Sequence, residues 1–158
     1  MAKLTVRDME LSGKWVLLRA DFNVPIENGV DDISFYDQKL RATLPTIYYL
    51  IERNCRVILC SHLGRPNGVY VSSLSVRPIA DRLSNLISKP ISVIDGFSGN
   101  AVNHAISNMS HGDICMLENL RFNAGEEAND LEFAKSLASL ADIFVMDAFA
   151  VAHRSHAS

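Results

Sequence analysis

Polar residues recur directly after the short apolar runs of this chain. Asp21 and Asn23 follow Trp15 to Ala20, and Ser61, His62, Gly64 and Arg65 follow Arg56 to Cys60. Glu118, Asn119 and Arg121 follow Ile114 to Leu117, and Asp147, His153, Arg154 and His156 follow Ile143 to Met146. Ile91 to Ile94 delivers only Asp95. If these runs are strands of one parallel sheet, their carboxyl ends converge where such sheets bind ligands. Arginines gathered there hold phosphate or carboxylate by forked hydrogen bonds. The competing reading is a set of ordinary solvated loops.

Other chemistries have less support. There is no G-x-x-x-x-G-K-[ST] loop, no G-x-G-x-x-G fingerprint and no G-x-S-x-G elbow. His153 and His156 suit a metal only on a helix, and none is expected there, so no metal site is assigned. Glu126 and Glu127 are adjacent and their side chains diverge, so a solvated loop is expected rather than a catalytic pair. Cys55, Cys60 and Cys115 cannot all pair within one chain and lie in or beside apolar runs, which predicts reduced, half-buried thiols.

The pattern predicts a helix between most strands. Ser34 and Asp37 resemble a capping box before a stripe of Leu40, Leu44, Ile47 and Ile51, with a kink expected at Pro45. Asn28-Gly29 signals a tight turn before it. Ser75 is the expected cap of a helix with Pro78 in its first turn and Ile79, Leu83, Leu86 and Ile87 on its buried face. A weaker helix is expected over 100–109. Another is expected over 130–140, with Leu131, Leu137 and Ala141 roughly on one side. The runs VILC, ICML and IFVM are apolar at successive positions, as in strands covered on both faces. Strands joined through helices run parallel. The expected fold is α/β: an open, doubly wound, Rossmann-like parallel sheet with helices on both faces.

Composition sets the outer limits. The chain has 158 residues, 48% hydrophobic and 21% charged, with a net charge of −3. That suits one globular domain and argues against disorder. No basic excess points to nucleic acid or an anionic membrane, and no apolar run approaches a membrane span or a signal peptide. A cytoplasmic protein is expected.

Four stretches in order then carry a family resemblance: Arg19-Ala-Asp-Phe-Asn-Val-Pro25, Ser61-His-Leu-Gly-Arg-Pro66, Leu117-Glu-Asn-Leu-Arg-Phe-Asn123 and Asp147-Ala-Phe-Ala-Val-Ala-His-Arg154. With Leu44-Pro-Thr-Ile47 they resemble the signatures of phosphoglycerate kinases across essentially the whole chain. The resemblance implies glycolytic, reversible phosphoryl transfer between 1,3-bisphosphoglycerate and ADP. It implies that Asp21, Asn23, His62, Arg65, Arg121 and Arg154 contact 3-phosphoglycerate or shape its pocket. Lys39 stands where the family has an arginine at the transferring phosphoryl group, keeping the charge but losing the planar fork. Such an arginine is worth ~10³–10⁵ in rate. Ala150-Val151 replaces the family's Gly-Thr, exchanging a residue that takes positive φ freely and removing a hydroxyl, which bears on the placing of His153 and Arg154.

By the same resemblance, residues 1–158 form a single N-terminal substrate-binding domain, truncated at its C-terminal end. Mg-ADP or Mg-ATP belongs to the full-length family and is not expected to bind this chain. The isolated chain is therefore expected to be catalytically silent. The family is usually monomeric, but a sheet that stops early exposes an edge that invites self-association. The alternative is a non-catalytic anion-binding or degenerate truncated paralogue.

Overall fold

The computed structural model describes residues 4–24 and 37–158. The Asn28-Gly29 turn and the Ser34 cap lie outside them. Five strands form the sheet: β1 (Trp15–Ala20), β2 (Arg56–Cys60), β3 (Ile91–Ile94), β4 (Ile114–Leu117) and β5 (Ile143–Asp147). Between them run α1 (Asp37–Ile51), α2 (Arg77–Ile87), α3 (Asn100–Ser107), the one-turn α4 (Ala124–Glu127) and α5 (Leu131–Ala138). The strand order is β3-β4-β2-β1-β5, and every pairing is parallel. The register sets Val16 opposite both Val57 and Ile143, and Ile114 opposite both Val57 and Ile91. From β1 the chain builds toward β3, then returns to lay β5 on the far side. That reversal opens the crevice typical of doubly wound sheets.

Strand alternation divides the core in two. Val16, Leu18, Val57, Leu59 and Met116 join Leu40, Ile47 and Leu50 of α1 and Ile79 and Leu83 of α2. Leu17, Ile58, Cys60 and Cys115 join Val102 and Ile106 of α3 and Phe133 and Leu137 of α5. Helices on both faces therefore explain the continuous apolar runs of β2 and β4. All three cysteines are free and fully buried rather than half-buried.

Several local expectations are corrected. On α1 the buried stripe is Leu40, Thr43, Ile47 and Leu50, with Leu44 and Ile51 at its margin. The helix runs through Pro45, which removes one donor without ending it. Val76, not Ser75, is the N-cap of α2. The Glu118 carboxylate reaches across from the end of β4, accepting from Val76 N at 2.9 Å and from Ser75 Oγ at 2.8 Å. On α5 the inward residues are Phe133 and Leu137, while Leu131 is exposed. The β5 run is an edge strand, paired with β1 alone among the described residues, and Phe144 is 49% exposed. Among the described residues its apolar run therefore has one open face rather than cover on both.

Candidate functional site

The loop after β1 folds on its own side chains. Asp21 Oδ1 accepts from Asn23 N at 3.2 Å, and Asn23 Oδ1 accepts from Gly64 N at 3.0 Å. The β2 loop is thereby tied to the β1 loop. Ser61 strengthens the tie: its Oγ accepts from Phe22 N at 3.0 Å and donates to Ala20 O at 2.9 Å. Gly64 sits at φ +60°, and a Cβ there would come within 2.7 Å of Leu74 Cδ2. The turn that aims Arg65 needs a residue without a side chain.

Asn119 holds the other wall. It is fully buried, and its Oδ1 accepts from Leu63 N and Arg121 N, both at 3.1 Å. Its Nδ2 donates to Leu63 O at 2.7 Å and Leu74 O at 3.0 Å. These bonds fold the chain after β4 into a 3-10 turn, Leu120–Phe122, that carries Arg121. Arg121 is buried. Its Nη1 donates to Gly64 O at 2.7 Å, and its Nε lies 3.3 Å from Glu127 Oε1, an ion-pair distance without hydrogen-bond alignment.

Asp21, Asn23, Lys39, His62, Arg65, Arg121 and Arg154 all line one cavity of about 250 Å³, with Gly64, Ala150 and Val151. Four cations therefore face one carboxylate. Lys39 Nζ donates to Asp21 Oδ2 at 3.0 Å and Asn23 O at 2.9 Å. Arg65 and Arg154 are exposed and make no side-chain hydrogen bond or ion pair to a described residue. Their guanidinium forks are open to a ligand. His62 is 3% exposed, and its pKa is pushed down to about 3. Burial is the largest cause, followed by the Arg19 and Arg121 charges, while Asp21 pulls the other way. His62 is neutral at physiological pH, and the cavity draws its charge from lysine and arginine.

Neither Ala150 nor Val151 takes positive φ in this wall. The non-glycine residues at positive φ among those described are Asn54, Asn67, Ser88 and Asn129. The segment turns through Val151 N donating to Ala148 O at 3.0 Å and Arg154 N donating to Val151 O at 2.9 Å, and Arg154 reaches the cavity. His153 and His156 do not line it. Asp95 pairs instead with Arg77 at 2.6 Å, and Glu118 is spent on α2. Asp147 is half-buried with Oδ2 unpartnered, and burial pushes its carboxyl up against the pull of a Thr46 hydrogen bond.

Sequence reasoning missed the support beneath the cavity. Arg19 is 1% exposed on β1, and Glu126 is fully buried rather than solvated. Glu126 and Glu127 do diverge, one toward Arg19 and one toward Arg121. A charged residue inside the apolar run WVLLRA was the available signal, because such a residue needs buried partners.

The profile of the family described as phosphoglycerate kinase matches residues 6–158. The chain is 53% identical over its whole length to a phosphoglycerate kinase of Dictyoglomus turgidum, and 52% identical to one of Picosynechococcus. It spans about 40% of the length of each. Among solved structures, it resembles phosphoglycerate kinase from Coxiella burnetii, with 38% identity and a TM-score of 0.83 over 98% of this chain and 37% of that one. For the enzyme of Pyrococcus horikoshii the values are 34%, 0.86, 98% and 39%.

Proposed function

Because this chain belongs to the phosphoglycerate kinase family, we propose that its cationic cavity is the 3-phosphoglycerate side of a phosphoglycerate kinase. The reaction is reversible transfer of a phosphoryl group between 1,3-bisphosphoglycerate and ADP. The observation that carries the reading is the convergence of the seven sequence-identified side chains on one cavity of about 250 Å³. Arg65, Arg121 and Arg154 offer forked donors to the phosphate. Asp21 and Asn23 suit the hydroxyl and carboxyl groups. Lys39 stands at the transferring phosphoryl group as a point charge, already held by Asp21 and Asn23 O. Magnesium and nucleotide are assigned to no residue of this chain, so the 158 residues alone bind phosphoglycerate without turning it over.

A cytoplasmic setting agrees with three free thiols. No helix of the described residues is long and apolar enough to cross a membrane. One observation favours the second reading, an anion-binding paralogue without catalysis: lysine, not arginine, occupies position 39. A chimera carrying the remaining length of the Dictyoglomus relative separates the two. Turnover of 1,3-bisphosphoglycerate by the chimera, and none by the 158-residue chain, is the expected result. Binding with a silent chimera that Lys39→Arg restores would favour the second reading. ATP formation by the 158-residue chain alone would overturn the assignment of the nucleotide elsewhere.

A further inference from the structure

Arg19 does not line the cavity, yet its guanidinium is fully engaged beneath it. Nη1 donates to Ala20 O at 2.8 Å, and Nε donates to Ser158 Oγ at 2.9 Å. Nη2 lies 2.9 Å from His62 Nδ1 and 3.9 Å from Glu126 Oε1. Ser158 closes the network, with Oγ donating to Glu126 Oε1 at 2.5 Å and N donating to Oε2 at 3.1 Å. The charges of Arg19 and Glu126 thus compensate each other inside the protein.

A guanidinium has donors only. In the Arg19–His62 bond, Nδ1 must therefore be the acceptor, and its lone pair cannot carry a proton. The ring proton belongs on Nε2. His62 Nε2 has no hydrogen-bond partner among the described residues, and the ring lines the cavity. We propose that Arg19 is a positioning residue of the anion site: it locks His62 as the neutral Nε2–H tautomer, so the ring gives the ligand a hydrogen-bond donor without a charge. The groups facing the ring are Arg19 from β1, Arg121 from the turn after β4, Asp21 from the loop after β1, and His156. Only Asp21 among them favours a second ring proton. An imidazolium would turn a proton toward Arg19 and break the bond.

The ligand half of this inference rests on reading the cavity as the phosphoglycerate site, but the tautomer half does not. Long-range proton–nitrogen NMR on histidine-labelled, ligand-free protein should show His62 with bare Nδ1 and protonated Nε2, unchanged from pH 5 to 8. Protonated Nδ1, averaging between tautomers, or a titration midpoint inside that range would overturn the lock. In Arg19→Gln the ring should lose its single tautomer, and Arg19→Lys should largely restore it. If Arg19→Gln fails to fold, the unmodified protein still decides the tautomer. His62→Gln keeps a donor at the Nε2 position, whereas His62→Ala removes it. 3-Phosphoglycerate binding should survive the first and weaken about tenfold or more in the second. Equal loss in both would contradict the donor role. A locked ring in a protein that ignores 3-phosphoglycerate would instead defeat the reading of the site. Binding to a protein with an averaging ring would defeat the inference alone.

Discussion

Arg65 gives the cleanest test of a single side chain. It is exposed and bonds to nothing among the described residues, so Arg65→Ala removes the proposed ligand contact and little else. Calorimetric titration should show 3-phosphoglycerate binding weakened by about 1.5–3 kcal/mol, the worth of a hydrogen bond to a charged group. Unliganded stability should stay within about 0.5 kcal/mol. Unchanged affinity would remove Arg65 from the site. His62 makes a different prediction, through pH. Its folded pKa of about 3 lies below the ordinary 6.5, so between those values the unfolded chain binds the extra proton. Its contribution to stability is complete above pH 6.5 and shrinks as pH falls, by at most about 1.4 kcal/mol per unit, until the ring protonates. Urea unfolding of the wild type and His62→Gln at pH 7 and pH 5 should show the wild type losing more. Parallel losses would mean that the ring is not buried neutral.

At the scale of elements, polar side chains at strand ends act as joints. Glu118 accepts from Val76 N, Ser75 Oγ and Asn119 N, and so couples the end of β4 to the start of α2. Glu118→Ala leaves three buried donors without this acceptor and should cost about 3 kcal/mol or more in urea unfolding, at about 1–3 kcal/mol per stranded group. A loss under about 1 kcal/mol would show that the joint is dispensable. The cysteines of β2 and β4 lie in the second core, where burial pushes Cys60 and Cys115 up to about 12. Native protein at pH 8 should resist a thiol reagent at both, and denatured protein should react at all three cysteines. Rapid native labelling would mean that this layer opens readily.

These joints also mark where sequence reading stops. All five strands were legible as short apolar runs, but only VILC and ICML, in β2 and β4, match strands buried on both faces, while β3 and β5 are edges. Helical stripes were legible only to within one or two residues, since neighbouring positions such as Leu50 and Ile51 differ only in how far they turn toward the sheet. Ser75 was a reasonable cap by residue type, but the acceptor came from Glu118, 43 residues away. Six of the cavity residues were legible because they follow strands of one sheet, whereas Lys39, on α1, was legible only through the family resemblance, and Asp95, Asp147, His153 and His156 follow strands without lining the cavity. Arg19, Asn119 and Glu126 were not, because their role depends on partners distant in sequence.

For the molecule as a whole, the central claim is that a chain of net charge −3 concentrates positive charge in one cavity built for a small anion. Binding there should stabilise the fold by mass action, by about 2.7 kcal/mol at a ligand concentration one hundred times Kd. The most direct measurement is a two-dimensional amide NMR spectrum of the 158-residue chain, titrated with 3-phosphoglycerate. A dispersed spectrum is expected, with shifts concentrated at Asp21, Asn23, His62, Arg65, Arg121 and Arg154. A dispersed spectrum that does not move, or that moves only around Tyr70, Arg77 and Phe97 at the other end of the sheet's carboxyl edge, would contradict it.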